Sequence, residues 1–483
     1  MPSNSLPEQG RRPAWRRVVP GFVALAMTAA VPMLAPASSE AAPAHVDNPF
    51  EGATSYVNPD YAENVQSSID QTQDSDLKAK MQRVKSYPTA VWLDRIAAIE
   101  GGEANSGRLS LREHLDEALA QQGSGPITAS FVIYDLPGRD CAALASSGEL
   151  PLTQQGLQRY KNDYIDPITD VMDDPKYNDI RITTVVEPDG LPNLVTNLDD
   201  PECAEAKSSG IQVDAMQYAL NQLHDISNVY TYMDFAHSGW LGWNNNLTQT
   251  AQFYTDVVRG TEDGLQSVDG FATNTSNYTP TEEPFLTDPN ARVGGGQVRS
   301  GQFYEWNPNF DESDFAAALH DEFVNRGWPS DIGTIIDTGR NGWGGSERPT
   351  QESSSTDLNT YIEESKVDRR VHRGLWCNVS GAGIGVPPQA SPSGHPNANI
   401  DAFVWTKPPG ESDGSSEEIP NDEGKQADPM CDPDYVAPEA GNNPTGALPN
   451  SPLAGHWFHE QFKMLVQNAH PEINTAASRR GTN

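Results

Sequence analysis

"ITTVVEPDG", residues 182 to 190, is a run of β-branched residues that stops at Glu187, Pro188, Asp189 and Gly190. An apolar run without alternation suits a parallel strand buried on both faces. Its carboxyl end then carries two acids. Pro and Asp-Gly are ordinary strand terminators, so turn chemistry alone accounts for them at this one strand. The case for chemistry rests on the other strands ending in the same way.

Six further short apolar runs lie outward from this one: "AVWL" (90 to 93), "FVIYDL" (131 to 136), "VYTYMDF" (229 to 235), "DGFATN" (269 to 274), "GTIIDTG" (333 to 339) and "FVWTK" (403 to 407). Amphipathic segments separate them, including "SLREHLDEALAQQ" (110 to 122), "AEAKSSGIQVDAMQYALNQLHD" (204 to 225) and "DESDFAAALHDEFVNRG" (311 to 327). "HWFHEQFKMLVQNA" (456 to 469) closes the pattern. Alternating strand and helix predicts an α/β fold with a parallel sheet of seven strands.

Asp94, Asp140, Asp189, Asp234, Asn274, Asp337 and Lys407 each fall at or shortly after a predicted strand. In a βα barrel those ends open on one face, where such folds build active sites. Carboxylates converging there repel one another, and some stay protonated near neutral pH, as general acid catalysis requires. Trp92, Trp240, Trp243, Trp376 and Trp405 accompany the same strand ends. Flat ring faces beside carboxylates suit sugars, which offer C–H faces to stack and hydroxyls to bond, although core packing explains any one Trp equally well.

The formal charge is −35. Such a surface repels nucleic acid and anionic membranes and is indifferent to a neutral substrate, so neither is expected as a partner. A monomer is expected. Arg11, Arg12, Arg16 and Arg17 precede "VVPGFVALAMTAAVPMLAPA" and the small residues of "SSEAAPA". That order predicts a secretory signal over residues 1 to 42 and an extracellular protein; Pro20, Pro32 and Pro36 argue against a membrane anchor. An exported chain oxidises its cysteines. Cys141, Cys203, Cys377 and Cys431 permit three pairings, of which the sequential two are preferred; no Cys-x-x-Cys spacing suggests a metal. The remaining length, about 440 residues, shows no Pro/Thr/Ser-rich hinge. We expect an N-terminal extension over 43–87 and one catalytic domain over 88–483.

"YDLPGRDCAALASSGE" (134 to 149), "VVEPDGLPNLVTN" (185 to 197), "YMDFAHSGWLGW" (232 to 243), "WCN" (376 to 378) and "FVWTKPPGESDG" (403 to 414) together resemble glycoside hydrolase family 6, in the form secreted by actinobacteria. The resemblance runs from about residue 88 to the C-terminus. It implies a distorted seven-stranded parallel β/α barrel, with long loops roofing the cleft, that hydrolyses β-1,4-glucans with inversion and needs no cofactor and no metal. Cellulose and cello-oligosaccharides are the implied partners. By the same resemblance Asp189 is the catalytic acid, and Asp140 raises its pKa and helps draw a proton from the attacking water. Asp413 matches the proposed base, Tyr134 presses the distorted sugar, and Ser146 positions water. Lys407, Glu411 and Asp234 match sugar-binding residues, and Trp92, Trp240 and Trp376 the stacking platforms. Asp94 and Asn274, at strand ends, complete the expected binding set. The family's Lys-Pro-Gly-Gly-Glu is "KPPGES" here, and Phe235 replaces a smaller residue. His237 is expected to be structural.

The family contains endoglucanases and cellobiohydrolases that release cellobiose from non-reducing ends. Residues 275 to 312 and 410 to 455 are long and lack helix or strand patterns, and loops of that length in a domain are usually functional. They favour the exo form over the endo form. A glucan-binding protein without catalysis is disfavoured because Asp189 and Asp140 are both present.

Overall fold

Seven parallel strands follow one another in a computed structural model that describes residues 45 to 395 and 398 to 474. The expected signal segment, residues 1 to 42, lies outside the described residues. The strands are β1 (Val91–Leu93), β2 (Ile127–Ile133), β3 (Ile180–Val186), β4 (Val229–Asp234), β5 (Gly270–Thr273), β6 (Gly333–Asp337) and β7 (Ile400–Val404). Each is hydrogen-bonded in parallel to the next in chain order. β3, β4, β5 and β6 are buried almost throughout. That is why their sequences run apolar rather than alternating.

The sheet curls, but no strand ladder joins β7 to β1. The seam between them is bridged by the Ala90 N–H to the Trp405 carbonyl at 3.1 Å. The Trp92 indole donates to the Thr406 carbonyl at 2.8 Å. The barrel is therefore distorted. Two short edge strands supplement it: Thr54–Ser55 pairs with β2 in parallel, and Gln389–Ala390 pairs with β7 antiparallel.

Helices cover the outside. Leu111–Gln121 begins with a capping box between Ser110 and Glu113. The single helix expected over 204 to 225 is two, Pro201–Ser209 and Ile211–His224, because Gly210 adopts φ 71 between them. Val132, Tyr134, Val185, Tyr230, Tyr232, Ala272, Ile335 and Ala402 fill the barrel interior.

The expected extension over 43–87 is built into the same compact unit as the barrel, which begins at Ala42. Its helices Pro59–Gln71 and Ser75–Val84, capped by Asn58 and Asp74, bury Tyr61, Val65, Leu77, Met81 and Val84. These side chains share a cluster with Phe462, Leu465 and Val466 of the closing helix His459–Gln467. The charged outer faces of both helices hide this apolar stripe from a reading of composition. Disulfides join Cys141 to Cys203 and Cys377 to Cys431, each with Cα atoms 5.1 Å apart. The preferred pairing is the observed one.

Candidate active site

The two acids that end β3 do different work. Glu187, only 1 % exposed, accepts hydrogen bonds from the Asp135 and Leu136 N–H groups, both at 3.2 Å, and from the Tyr160 hydroxyl at 2.7 Å. It fastens the end of β3 to the chain leaving β2. Burial lifts its pKa to about 7 in spite of those donors. Asp189 precedes the helix Gly190–Thr196 without capping it. Burial first, then the charges of Asp140 and Asp234, hold its carboxyl well above the ordinary carboxylate range. Gly190 has a packing reason: a Cβ there would lie 2.7 Å from the Leu136 side chain.

Asp140 faces Asp189 from the loop after β2. Its carboxylate accepts from the Tyr134 hydroxyl at 3.1 Å, from Asn193 Nδ2 at 3.3 Å and from the Ser146 hydroxyl. Burial raises its pKa, and these donors oppose the rise. Arg139, unanticipated from sequence, is the clamp of this loop. Its guanidinium donates to the carbonyls of Ser146 (2.8 Å), Ser147 (3.0 Å), Asp94 (2.7 Å) and Tyr134, and lies 4.1 Å from the Tyr134 ring centre. Tyr134 also meets Trp92 edge-on at 5.2 Å.

Asp234 accepts the Asp189 and Ala236 N–H groups, both at 3.1 Å. Burial raises its pKa to about 6. Asp140, Asp189 and Asp234 thus form one carboxyl cluster at the ends of β2, β3 and β4. The chain turns there through positive φ at Asp140, Glu187, Asp189, Ala236 and Asn274. Such backbone is costly for Glu and Ala and tends to collect at functional sites.

The remaining strand ends divide. Asp337 accepts from the backbone N–H groups of Gly339 (2.9 Å), Lys407 (2.8 Å) and Ser276 (3.3 Å), which makes it a clamp between β6 and β7. Asn274 is fully buried; its amide donates to the Thr279 and Asp337 carbonyls and accepts the Thr279 N–H. With both ends of its amide bonded inside the protein, Asn274 is a support for the loop rather than the sugar-binding residue that its strand-end position suggested. Asp94 pairs with Lys425 at 2.9 Å. His237 is buried against Asn277 and Thr279, as its expected structural role requires.

Asp413 is enclosed by donors: Arg340 Nη1 reaches both its oxygens at 2.8 and 2.9 Å, the Tyr278 hydroxyl lies at 2.6 Å and the Asn378 N–H at 2.8 Å. Neither Arg340 nor Tyr278 was singled out from sequence. Arg340 had a visible signal, since it lies three residues beyond Asp337 at the end of β6. Lys407 Nζ lies 5.1 Å from the Trp92 ring centre, and burial lowers its pKa while Glu411 opposes the shift. Burial raises the pKa of Glu411. Trp240, half-buried, donates its indole N–H to Thr196 at 2.8 Å on the helix that follows Asp189. Trp376 packs beside Cys377, and Trp405 is a core residue at 1 % exposure.

Both long segments are ordered by small cores of their own. Leu286, Val298, Phe303, Tyr304 and Phe310 of the first pack with Tyr361 and Ile362. Met430, Cys431, Ala437 and Ala440 of the second pack with Ala145 and Leu375, so the second segment touches both the Ser146 loop and the Trp376 loop. The Gln426 N–H reaches the Leu144 carbonyl at 3.2 Å. Chemically, the arrangement combines a carboxyl at Asp189 whose ionisation burial and its neighbours oppose, a second carboxyl bonded to the hydroxyl of the Ser146 loop, and half-buried aromatic rings nearby.

The family described as glycosyl hydrolases family 6 matches residues 50–469. Exoglucanase A of Cellulomonas fimi is 53% identical over 439 residues, which is 90% of this chain and 50% of that protein. This chain thus spans about half the length of that relative. The 1,4-beta-D-glucan cellobiohydrolase C of Emericella nidulans is 35% identical over 435 residues, 88% of this chain and 79% of that protein. Among solved structures, the catalytic domain of Cellulomonas fimi Cel6B aligns with a TM-score of 0.87 at 52% identity, covering 90% of this chain and 98% of that one. The CcCel6A catalytic domain complexed with p-nitrophenyl beta-D-cellotrioside aligns at 0.68 and 33% identity, covering 89% and 99%. The match extends through the strand ends that carry the carboxyl cluster, and the chain belongs to glycosyl hydrolase family 6.

Proposed function

We propose that the protein is a secreted, inverting cellobiohydrolase that releases cellobiose from the non-reducing ends of β-1,4-glucan chains. The observation that carries the reading is Asp189, a buried carboxyl flanked by Asp140 and Asp234 and suited to hold a proton near neutral pH. In the proposed step a water oxygen bonds to the anomeric carbon as the glycosidic C–O bond breaks. Asp189 gives its proton to the departing oxygen, and a proton of the water passes toward Asp140 along the Ser146 hydroxyl that already bonds it. Asp413 serves this scheme less well as base, because Arg340, Tyr278 and the Asn378 N–H already occupy its oxygens. We assign it to holding Arg340 and the Asn378 turn in place.

Exo action is supported by the segment 410 to 455, which runs from the end of β7 to contacts beside Asp94 and Leu144. A chain confined there enters by its end. Digestion of amorphous cellulose is expected to release mainly soluble cellobiose, first as the α-anomer, with little loss of carboxymethylcellulose viscosity. A fast viscosity drop with few soluble sugars would make the protein an endoglucanase; β-anomeric product would refute inversion.

A further inference from the structure

Trp306 is 60 % exposed, although the other aromatic residues of its segment, Phe303, Tyr304 and Phe310, are buried. Phe303, Tyr304 and Phe310 are buried in the core of the segment 275 to 312, and Trp306 takes no part in any hydrophobic cluster among the described residues. The Arg299 guanidinium carbon lies 5.9 Å from the ring centre, but a Trp ring carries a large apolar surface, and leaving most of it in water forfeits the burial its neighbours achieve. The backbone carries a cost too. Glu305 and Trp306 adopt φ 49 and 72, a left-handed conformation unusual for bulky side chains.

The turn is held in this form from several sides. The Glu305 N–H bonds the Gly301 carbonyl at 2.9 Å, the Trp306 N–H the Arg299 carbonyl at 2.5 Å, and the Asn307 N–H the Tyr304 carbonyl at 2.7 Å. Two further contacts place it among the aromatic rim residues. The Trp243 indole donates to the Glu305 carbonyl at 2.8 Å, and the Glu305 carboxylate lies 3.7 Å from His372. Trp243 closes the stretch that carries Trp240, and His372 begins the one that carries Trp376. The exposed ring thus belongs to a turn tied to both loops that bear aromatic platforms.

We propose that Trp306 is an additional carbohydrate-binding site, a stacking platform outside the platforms assigned above, whose ligand is a β-1,4-glucan chain at the surface of insoluble cellulose. The inference rests on the glucan-hydrolase reading. A pyranose ring offers an apolar C–H face that matches an exposed indole, and a turn fixed beforehand loses little entropy on binding. Continuity with the Trp243 and Trp376 loops favours a glucan chain over a second protein as occupant.

The test compares the intact protein with Trp306→Ala and Trp306→Phe. Adsorption to microcrystalline cellulose and cellobiose release from it should fall severalfold in Trp306→Ala and be largely retained in Trp306→Phe. Turnover of soluble cellotetraose and the sedimentation mass should not change. Equal adsorption by all three proteins would overturn the proposal, as would a change of mass showing that the ring joins two copies. Failure of the unmodified protein to cleave cellotetraose would instead overturn the hydrolase reading, and adsorption would still decide the platform.

Discussion

Lys425 Nζ lies 2.9 Å from Asp94 Oδ2, a contact spanning 331 residues that ties the last long segment to the end of β1. Lys425 also donates to Glu423 at 2.5 Å and to the Ala454 carbonyl at 2.8 Å, while Glu423 meets Arg95 at 3.2 Å and His456 at 3.0 Å. Burial alone would raise the Asp94 pKa, yet Lys425 and Arg139 hold it below the ordinary range. Lys425→Met leaves a buried carboxylate without its cation, a strongly destabilising change that movement of the segment relieves. The expected result is a severalfold faster loss of carboxymethylcellulose viscosity and a lower ratio of soluble to insoluble reducing ends. An unchanged ratio would mean that the cluster around Ala145 and the Cys377–Cys431 bridge suffice to hold the segment.

Asp189→Ala removes the proposed proton donor. Turnover of unactivated cello-oligosaccharides should drop by roughly 10²–10⁴-fold, the range usual for a lost general acid. Glucosides with a nitrophenol leaving group should lose far less, because that oxygen departs without protonation. Equal losses on both substrates would remove Asp189 from the role.

Asp140 and Asp234 are the charges that, after burial, raise the pKa of Asp189. Asp140→Asn should therefore move the alkaline limb of the kcat/KM profile to lower pH, since the acid now ionises sooner. Asp234→Asn, which keeps an oxygen to accept the Asp189 N–H, should move it in the same direction by less. A limb that stays in place in both variants would mean that it reports another group.

The seven strands were legible because strands largely buried on both faces read as short apolar runs, and their polar ends were legible because a parallel barrel brings those ends to one face. The roles of the acids were not. Glu187, Asp189 and Asp337 look alike as strand-end carboxylates, and only their partners separate a backbone clamp from the proposed proton donor. Arg139 and Arg340 were missed for the same reason, since Arg139 works through backbone carbonyls, which side-chain identity does not reveal, and Arg340 through a carboxylate distant in sequence. Asn274 was misplaced because strand-end position says nothing about whether a side chain faces inward. The N-terminal helices were overlooked because their apolar stripes are narrow and complete a core only against residues some 390 positions later, as the Trp457 bond to Ser68 illustrates.

The many buried carboxyls also set how stability responds to pH. Burial raises Glu187, Glu283, Glu312 and Asp401 to about 7, and Asp234 and Asp337 to about 6. In the unfolded chain these groups titrate near 4. Between about pH 4 and 7 the native state therefore holds more protons than the unfolded state, and stability falls as pH rises. Glu423 acts oppositely: burial would raise it, but His456 and Lys425 bring it down to about 2, so its contribution is lost only as pH drops toward that value. The melting temperature should be highest near pH 5 and several degrees lower at pH 8, measured by calorimetry at fixed ionic strength. Glu312 offers the sharpest check. One oxygen accepts the Ser238 N–H at 2.8 Å, and burial outweighs this and the Ser238 and Thr273 hydroxyls beside the carboxyl. Glu312→Gln keeps the acceptor without the charge, and should remove about 3 kcal/mol of the destabilisation that develops between pH 5 and 8. A melting temperature that climbs over that interval would show that these carboxyls ionise in the folded protein at little cost.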